Sequence, residues 1–216
     1  MTWINYFSNS KIPFYIYKLK RGDSIIQNTS VKNHKCIIIL HGIIYKTQIF
    51  TNNEILPVAI LNKNNIIDIN CHLISYKSYY KIIAIEETYI ISFSFKNLKY
   101  NNKINMKLFH NLINGYKMTL YKYEIMRNIL SHKYIKLRVI QLVLFLSIEF
   151  GIIERTQIKI PFIITKTDIA IMTGTNTNTI NKIIKRLHKN KLIHYSTKNF
   201  ISINNYFIAN SVFLLN

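Results

Sequence analysis

The stretch from Thr165 to Asn190 constrains the fold of this chain more than any other. Thr165 is a favourable helix N-cap, and Asp168, three residues later, can complete a capping box. Gly174 ends the apolar stripe of this first helix, because glycine adopts a positive φ at little cost. A second helix begins near Asn176 and places apolar residues at helical spacing. The sequence therefore predicts two short helices joined by a tight turn.

The outer face of the second helix carries side chains suited to reading DNA, and the helix contains no acidic residue. An asparagine can pair with adenine, a lysine can reach guanine or phosphate, and a threonine methyl can pack on thymine. The predicted DNA-contacting residues are Thr175, Asn176, Thr177, Asn178, Asn181, Lys182, Lys185 and Lys198. The alternative is an ordinary helical hairpin with a solvated polar face.

Two segments with strand-like alternation follow the second helix. They cover residues 191–195 and 200–203, and residues 196–199 form the turn between them. A hairpin directly after a recognition helix is a wing, and Lys198 at its tip could touch a phosphate. The wing favours DNA binding over the ordinary helical hairpin.

Residues 165–203 resemble the winged helix-turn-helix of the Crp/Fnr family of bacterial transcription regulators. The matching positions are Ile169-Ala170, Gly174, Thr179-Ile180, Lys182 and Leu192-Ile193. The segment from Leu130-Ser131-His132-Lys133 to Glu149-Phe150-Gly151 is similar to the connection between the dimer helix and the DNA domain of the cyanobacterial global nitrogen regulators. This resemblance implies a homodimer that binds double-stranded DNA and RNA polymerase. Thr177 stands where the nitrogen regulators have an arginine, so the same operator is not implied.

The remaining sequence divides into a strand-rich part and a long helix. Residues 12–95 contain many short β-branched and aromatic runs between turns, and Pro57 suits an edge strand. Residues 103–134 repeat apolar residues in alternating three- and four-residue steps, as in a two-helix coiled coil. The seam residues are Met106, Phe109, Ile113, Tyr116, Leu120, Tyr123, Leu130 and Tyr134. In the family this helix is the dimer interface; the alternative is a helix packed on its own β domain.

These patterns and the resemblance together predict an α+β chain with three parts. Residues 1–102 form a β-roll, the jelly roll of cyclic-nucleotide-binding domains, and residues 103–135 form the dimerisation helix. Residues 136–216 form the winged helix-turn-helix, which begins with a further helix over 135–150 and includes a short strand at 157–160.

The composition points to a polyanionic partner, because the formal net charge is +20 over 216 residues. An AT-rich genome would explain the Asn and Ile content, but not a total of nine acidic residues. No signal peptide and no apolar run of the ~18 residues that cross a bilayer are present, so no membrane partner is expected. The composition and the resemblance suggest a gene carried in an algal plastid genome, which places the protein in the plastid stroma.

Catalytic and metal-binding patterns are missing from the sequence. It contains none of the common nucleotide-binding or hydrolase motifs, and Glu86 and Glu87 are expected on one strand, facing opposite sides. Cys36 and Cys71 are isolated, which disfavours a zinc or iron–sulfur site and suggests buried thiols in a reducing compartment. We therefore expect neither an enzyme nor a metal cofactor.

The resemblance also implies an effector site between the β-roll and the long helix. Cyclic AMP is not expected, because Ile67-Asp68 occupies the place of the Gly-Glu pair of cyclic-nucleotide-binding relatives. The nitrogen regulators bind 2-oxoglutarate; Glu124 matches their helix glutamate, whereas Thr119 replaces an arginine. The predicted effector contacts are Glu124, Lys77, Ile67 and Asp68, and Lys117 or Lys122 could supply a further cation. The alternative is a non-specific polyanion binder that has lost its effector response.

Overall fold

Runs of β-branched residues between turns form the strands of the N-terminal part, as their β propensity predicts. The computed structural model describes residues 2–27, 35–68, 78–99, 106–154 and 156–204. The chain separates into two compact units, Met1–Met126 and Arg127–Asn216. The three-part division at residues 102 and 135 stays a prediction.

Eight described strands of the first unit form two antiparallel sheets with the orders β1-β8-β3-β6 and β2-β7-β4-β5. Their bounds are β1 Phe14–Leu19, β2 Ser24–Gln27, β3 Lys35–His41, β4 Ile44–Phe50, β5 Ile55–Leu61, β6 Ile66–Asp68, β7 Ser78–Ala84 and β8 Thr88–Ser94. The predicted β-roll is confirmed. Pro57 lies in the edge strand β5, where its missing N–H removes no ladder bond between central strands.

Alternation along β3 explains why its inner residues, Cys36 to Leu40, are apolar without interruption. Ile37 and Ile39 point into a cluster between the two sheets, which also contains Ile44 of β4. Cys36 and Ile38 point to the opposite face and join a second buried cluster. That second cluster is completed by residues of three helices: α1 Thr2–Asn9, α2 Phe95–Lys99 and α3 Met106–Ser131. Because successive residues of a strand face opposite sides, a strand buried on both sides must be apolar throughout.

The long helix α3 packs one face on its own unit. Leu108 and Leu112 belong to the second cluster, and a Cβ at Gly115 would lie 2.6 Å from the Ile66 side chain, so glycine permits this close approach. Five residues of the predicted seam are exposed. Tyr134 follows the end of α3, and the other four define the α3 stripe: Met106, Phe109, Ile113 and Leu120. Tyr116 and Tyr123 instead pack against the unit's own clusters, so the stripe is narrower than the predicted seam.

The second unit combines three helices with a four-stranded sheet of order β11-β12-β10-β9. Its bounds are α4 Ile135–Phe150, β9 Ile152–Glu154, β10 Gln157–Lys159, α5 Lys166–Thr173, α6 Thr177–Lys189, β11 Ile193–Tyr195 and β12 Ile201–Asn204. α5 and α6 pack on α4, and α6 also packs on β11. The predicted helix-turn-helix and wing are both present.

Several details differ from the sequence-based expectations. Glu86 and Glu87 were expected on one strand, but they lie in the turn between β7 and β8. α1 and β9 were not predicted, because short segments of eight and three residues carry little periodicity. Cys36 is buried, with its sulfur 3.3 Å from the Tyr116 hydroxyl, as expected for a thiol in a core; Cys71 lies outside the described residues.

Candidate nucleic-acid interface

Hydrogen bonds cap both ends of α5, the helix that precedes the turn into α6. The Thr165 hydroxyl accepts from the Asp168 N–H at 3.1 Å, and an Asp168 carboxylate oxygen accepts from the Thr165 N–H at 2.9 Å. This reciprocal pair is the predicted capping box. At the other end Gly174 has φ +63°, and its N–H is directed at the carbonyls of Ala170 and Ile171. The capping box thus marks the start of α5, and the left-handed Gly174 ends α5 just before the chain turns into α6.

Arg138 of α4 supports the same turn and was not recognised in the sequence. Its Nε donates to the His132 carbonyl at 2.8 Å, and its Nη1 donates to the Thr173 carbonyl at 3.3 Å. Thr173 is the last residue of α5, where helix carbonyls lack intrahelical partners. Arg138 thus ties the end of α5 to the segment that precedes α4.

Helix α6 is strongly amphipathic, with one buried apolar face and one polar face. Ile180, Ile184 and Leu187 are buried against the rest of the unit. The opposite face is polar, and Asn178, Lys182 and Lys185 are exposed there, with Thr177 and Asn181 half-buried beside them. The structure brings these predicted residues together on one side of one helix.

The remaining predicted residues lie at the start of the helix and on the wing. Asn176 is the N-cap of α6, and its carboxamide oxygen accepts from the Thr179 N–H at 2.8 Å. Its amide nitrogen is therefore the part suited to meet a partner. Thr175, half-buried, donates its N–H to the Ala170 carbonyl. Lys198 is exposed in the turn between β11 and β12.

The wing turn is held by Tyr195 at its base. The Tyr195 hydroxyl lies 3.0 Å from the Ile164 carbonyl and 2.9 Å from the Asn199 side-chain oxygen. Burial, and next the nearby Asp168 carboxylate, raise the pKa of this hydroxyl above its usual value, so it stays protonated and able to donate. The backbone of Ser196 and Phe200 closes the turn at 2.9 Å. Lys198 is therefore carried on an ordered hairpin.

The predicted effector residues are less closely assembled. Ile67 is completely buried in the cluster between the two sheets, whereas Glu124 on α3 is exposed. The backbone of Asp68 pairs with that of Cys36, and Lys77 lies outside the described residues. Their role in binding an effector stays a prediction.

Thr119, at the position where the nitrogen regulators have an arginine, has a structural role. Its hydroxyl is buried, accepts from the Ile66 N–H at 2.9 Å and donates to the Gly115 carbonyl at 3.0 Å. It thereby joins α3 to β6.

Among the described residues of the same unit, Lys46 and Lys122 are buried lysines, and Lys46 was missed in the sequence. The Lys46 ammonium donates to the Tyr123 hydroxyl at 3.1 Å and lies 4.2 Å from the centre of the Tyr80 ring. Lys122, which precedes Tyr123 on α3, is also buried. Both lysines bring cationic groups to the region where α3 meets the β-roll.

Other classes of site find no support in the residues that the structure describes. Those residues contain no group of three or more side chains that could hold a metal ion. None of the described helices combines the length and apolarity needed to cross a membrane.

The second unit matches a known family of DNA-binding domains. Residues 137–206 match the Crp-like helix-turn-helix domain. An HTH-type transcriptional regulator of Porphyra purpurea, ycf28, is 28% identical over 201 residues, covering 92% of this chain and 82% of the relative. The global nitrogen regulator of Synechococcus elongatus is 20% identical, covering 94% of this chain and 92% of the relative.

A solved structure supports the fold over nearly the whole chain. A CooA mutant from Carboxydothermus hydrogenoformans superposes with a TM-score of 0.72 at 14% identity, covering 93% of this chain and 87% of that one. The α+β fold predicted from the sequence, a β-roll followed by a long helix and a winged helix-turn-helix, is confirmed.

Proposed function

We propose that this chain, which belongs to the Crp/Fnr family of transcription regulators, binds an inverted-repeat DNA site as a homodimer. The family consists of DNA-binding regulators, so the chain is not an enzyme.

The observation that carries the proposal is the polar face of α6. Its N-terminal half presents Thr177 and Asn178, and the next turn presents Asn181 and Lys182. In helix-turn-helix proteins the N-terminal residues of the second helix contact base edges in the major groove. We assign base reading to Thr177 and Asn178, and phosphate contacts to Lys185 and Lys198, which lie further along the helix and on the wing.

The dimer is proposed from the α3 stripe. Met106 and Leu120 at its two ends are 78% and 63% exposed, so four large apolar side chains face water along one helix. Pairing two such stripes about a twofold axis would bury them, as in a two-helix coiled coil. A twofold dimer presents its two recognition helices about one DNA turn, ~34 Å, apart, and therefore requires an inverted repeat.

The biological setting is proposed from resemblance and composition. Similarity to the nitrogen regulator of Synechococcus elongatus supports control of nitrogen-assimilation genes, with RNA polymerase as a protein partner. The composition biased to Lys, Asn, Ile and Tyr, together with the Porphyra purpurea relative, supports a plastid gene and the plastid stroma.

The effector proposed for testing is 2-oxoglutarate. A buried dicarboxylate must be neutralised by cations. The buried Lys46 and Lys122 supply cations near α3, although Thr119 stands in place of the family arginine. The competing possibility is a regulator that no longer responds to an effector.

A competition assay tests the main proposal. Full-length protein would be used to select bound sequences from a random duplex pool, and the recovered site would compete against scrambled duplex of equal length. A preference of ~10³-fold or more at fixed salt, for a site with inverted-repeat symmetry, is expected. Equal competition by scrambled DNA would identify a non-specific polyanion binder, which the net charge of +20 favours as the second candidate.

A further inference from the structure

A cleft of about 180 Å³ opens in the first unit, where α1, the turn between β5 and β6, and α3 meet. We call it the α1–α3 cleft. Trp3 and Tyr6 of α1 line one part of it, and Asn64 of the turn and four residues of α3 line the rest. None of the described residues of the predicted effector site lines this cleft, so the two sites are distinct.

The aromatic wall of the cleft is held in place by its neighbours. The Trp3 indole N–H donates to the Asn64 side-chain oxygen at 2.9 Å, and the Trp3 and Tyr6 rings meet edge to face with centroids 6.5 Å apart. A Cβ at Gly115 would lie 2.7 Å from the Asn64 carbonyl oxygen, so glycine lets α3 come close to the turn. An aromatic surface that is already ordered loses little conformational entropy when a ligand binds.

Two side-chain amides of α3 border the aromatic wall. Asn111 and Asn114, which lie one helical turn apart, both line the cleft. Neither side chain forms a hydrogen bond with any residue that the structure describes. Each carboxamide offers a carbonyl acceptor and an NH₂ donor side by side. The cleft therefore presents donors and acceptors to a ligand next to an aromatic surface.

The cleft is uncharged and small. Its described lining residues include no lysine, arginine, histidine, aspartate or glutamate. A charged ligand would lose hydration there without gaining a counter-ion, so an uncharged ligand is favoured. The volume is below the roughly 300–1,000 Å³ of pockets for drug-sized ligands, which points to a single small ring. A planar ring packs well on aromatic side chains, and an amide group can pair with a carboxamide through two hydrogen bonds.

We infer that the α1–α3 cleft binds a small uncharged aromatic ring that carries an amide group. The ring packs against Trp3 and Tyr6, and the amide group exchanges hydrogen bonds with Asn111 and Asn114. This binding site adds a small-molecule ligand to the proposed function and does not depend on DNA.

The cleft and the α3 stripe occupy different sides of α3. At 3.6 residues per turn, the cleft residues Asn111, Gly115 and Met118 lie about half a turn around the helix from Ile113 and Leu120 of the stripe. Pairing of two stripes therefore does not need to close the cleft. A binding test on the protein without DNA is independent of both the operator and the proposed dimer.

Trp3 is the only tryptophan of the chain, so its fluorescence reports directly on the cleft. The probe is nicotinamide, an uncharged pyridine ring with one carboxamide, added to the full-length protein and excited where nicotinamide does not absorb. We expect the fluorescence change to saturate, and the melting temperature to rise over the same concentration range. Nicotinate, which replaces the amide by a carboxylate, is the matched ligand control and should bind about tenfold more weakly or worse.

The amides are tested by the double variant Asn111→Leu and Asn114→Leu, which removes them and keeps a similar side-chain size. The dissociation constant for nicotinamide should rise about tenfold or more, because two hydrogen bonds are lost. The control is Asn128→Leu, which replaces an exposed asparagine of the same helix outside the cleft and should leave the dissociation constant unchanged.

Three results overturn the inference. The first is quenching that increases linearly with nicotinamide, as for free N-acetyltryptophanamide, because it would show collisions rather than a site. The second is equal binding of nicotinate. The third is an unchanged dissociation constant in the double variant. The first two are measured on the wild type, so they decide the matter even if the double variant does not fold. Failure to select an operator would refute the proposed function and would change none of these measurements.

Discussion

Asn178 and Lys185 are both exposed on α6, and we propose that they contact DNA through different chemistry. An asparagine amide can make two hydrogen bonds to adenine, which depend on the base. A lysine on a phosphate depends only on charge. We expect Asn178→Ala to cost about 1–3 kcal/mol on the selected site and little on scrambled DNA.

Lys185→Ala is the variant to compare with Asn178→Ala. It should weaken binding to both duplexes about equally and reduce the salt slope by roughly 0.9 per phosphate contact. Fluorescence anisotropy titrations at several salt concentrations measure both quantities. If Asn178→Ala also weakens both duplexes equally, α6 acts as a charged surface and the non-specific candidate is correct.

Arg138 permits a test of how the turn before α6 is held. Replacing it with Met keeps the aliphatic contacts and removes the donors to the His132 and Thr173 carbonyls. Because bonds from a charged donor contribute most, the second unit should lose about 1–3 kcal/mol of unfolding free energy in urea. Lys136→Met, two residues earlier on the exposed side of α4, is the matched control. Equal effects of the two changes would contradict the role given to Arg138.

At the scale of elements, α3 carries the prediction of a dimer. Leu120→Lys places a charge on each side of a twofold contact, where the two copies repel each other and lose water. Sedimentation should therefore show monomers at concentrations where the wild type is dimeric. Met118→Lys is the control, because Met118 lines a cleft with Trp3 and Tyr6 of its own unit. A dimer that survives Leu120→Lys would exclude the α3 stripe as the interface.

The elements that could be predicted from sequence are those with local chemical signals. The capping box at Thr165, the left-handed Gly174 and the alternation of the wing each involve residues close in sequence. Arg138 and Lys46 could not be found this way, because their partners lie 35 and 77 residues away. The structural role of Thr119 was equally hidden, since its bond to Ile66 depends on how α3 meets β6.

At the scale of the whole molecule, charge and fold act together. A net charge of +20 provides attraction to any nucleic acid, and this attraction decreases as salt increases. The helix-turn-helix then has to add the part of the binding free energy that depends on sequence. We expect the ratio of specific to non-specific affinity, rather than affinity alone, to separate regulation from general DNA coating.

Effector binding is tested through its linkage to stability. If 2-oxoglutarate binds the folded state and not the unfolded state, a concentration ~100-fold above its dissociation constant raises the free energy of unfolding by about 2.7 kcal/mol. The melting temperature should therefore rise with millimolar 2-oxoglutarate. Glu124→Gln should abolish the rise, whereas Glu54→Gln, an exposed carboxylate next to β5, should retain it.

The same ligand must also act on DNA binding if it is an effector. If 2-oxoglutarate changes the affinity of the protein for the operator by some factor, the operator must change the affinity of the protein for 2-oxoglutarate by the same factor. Operator titrations with and without 2-oxoglutarate measure the first change, and melting shifts of the operator complex measure the second. No shift with saturating ligand, in either the free protein or the complex, would identify a regulator without this effector. The buried Thr119, which holds α3 to β6 where the nitrogen regulators place an arginine, would then be the physical reason.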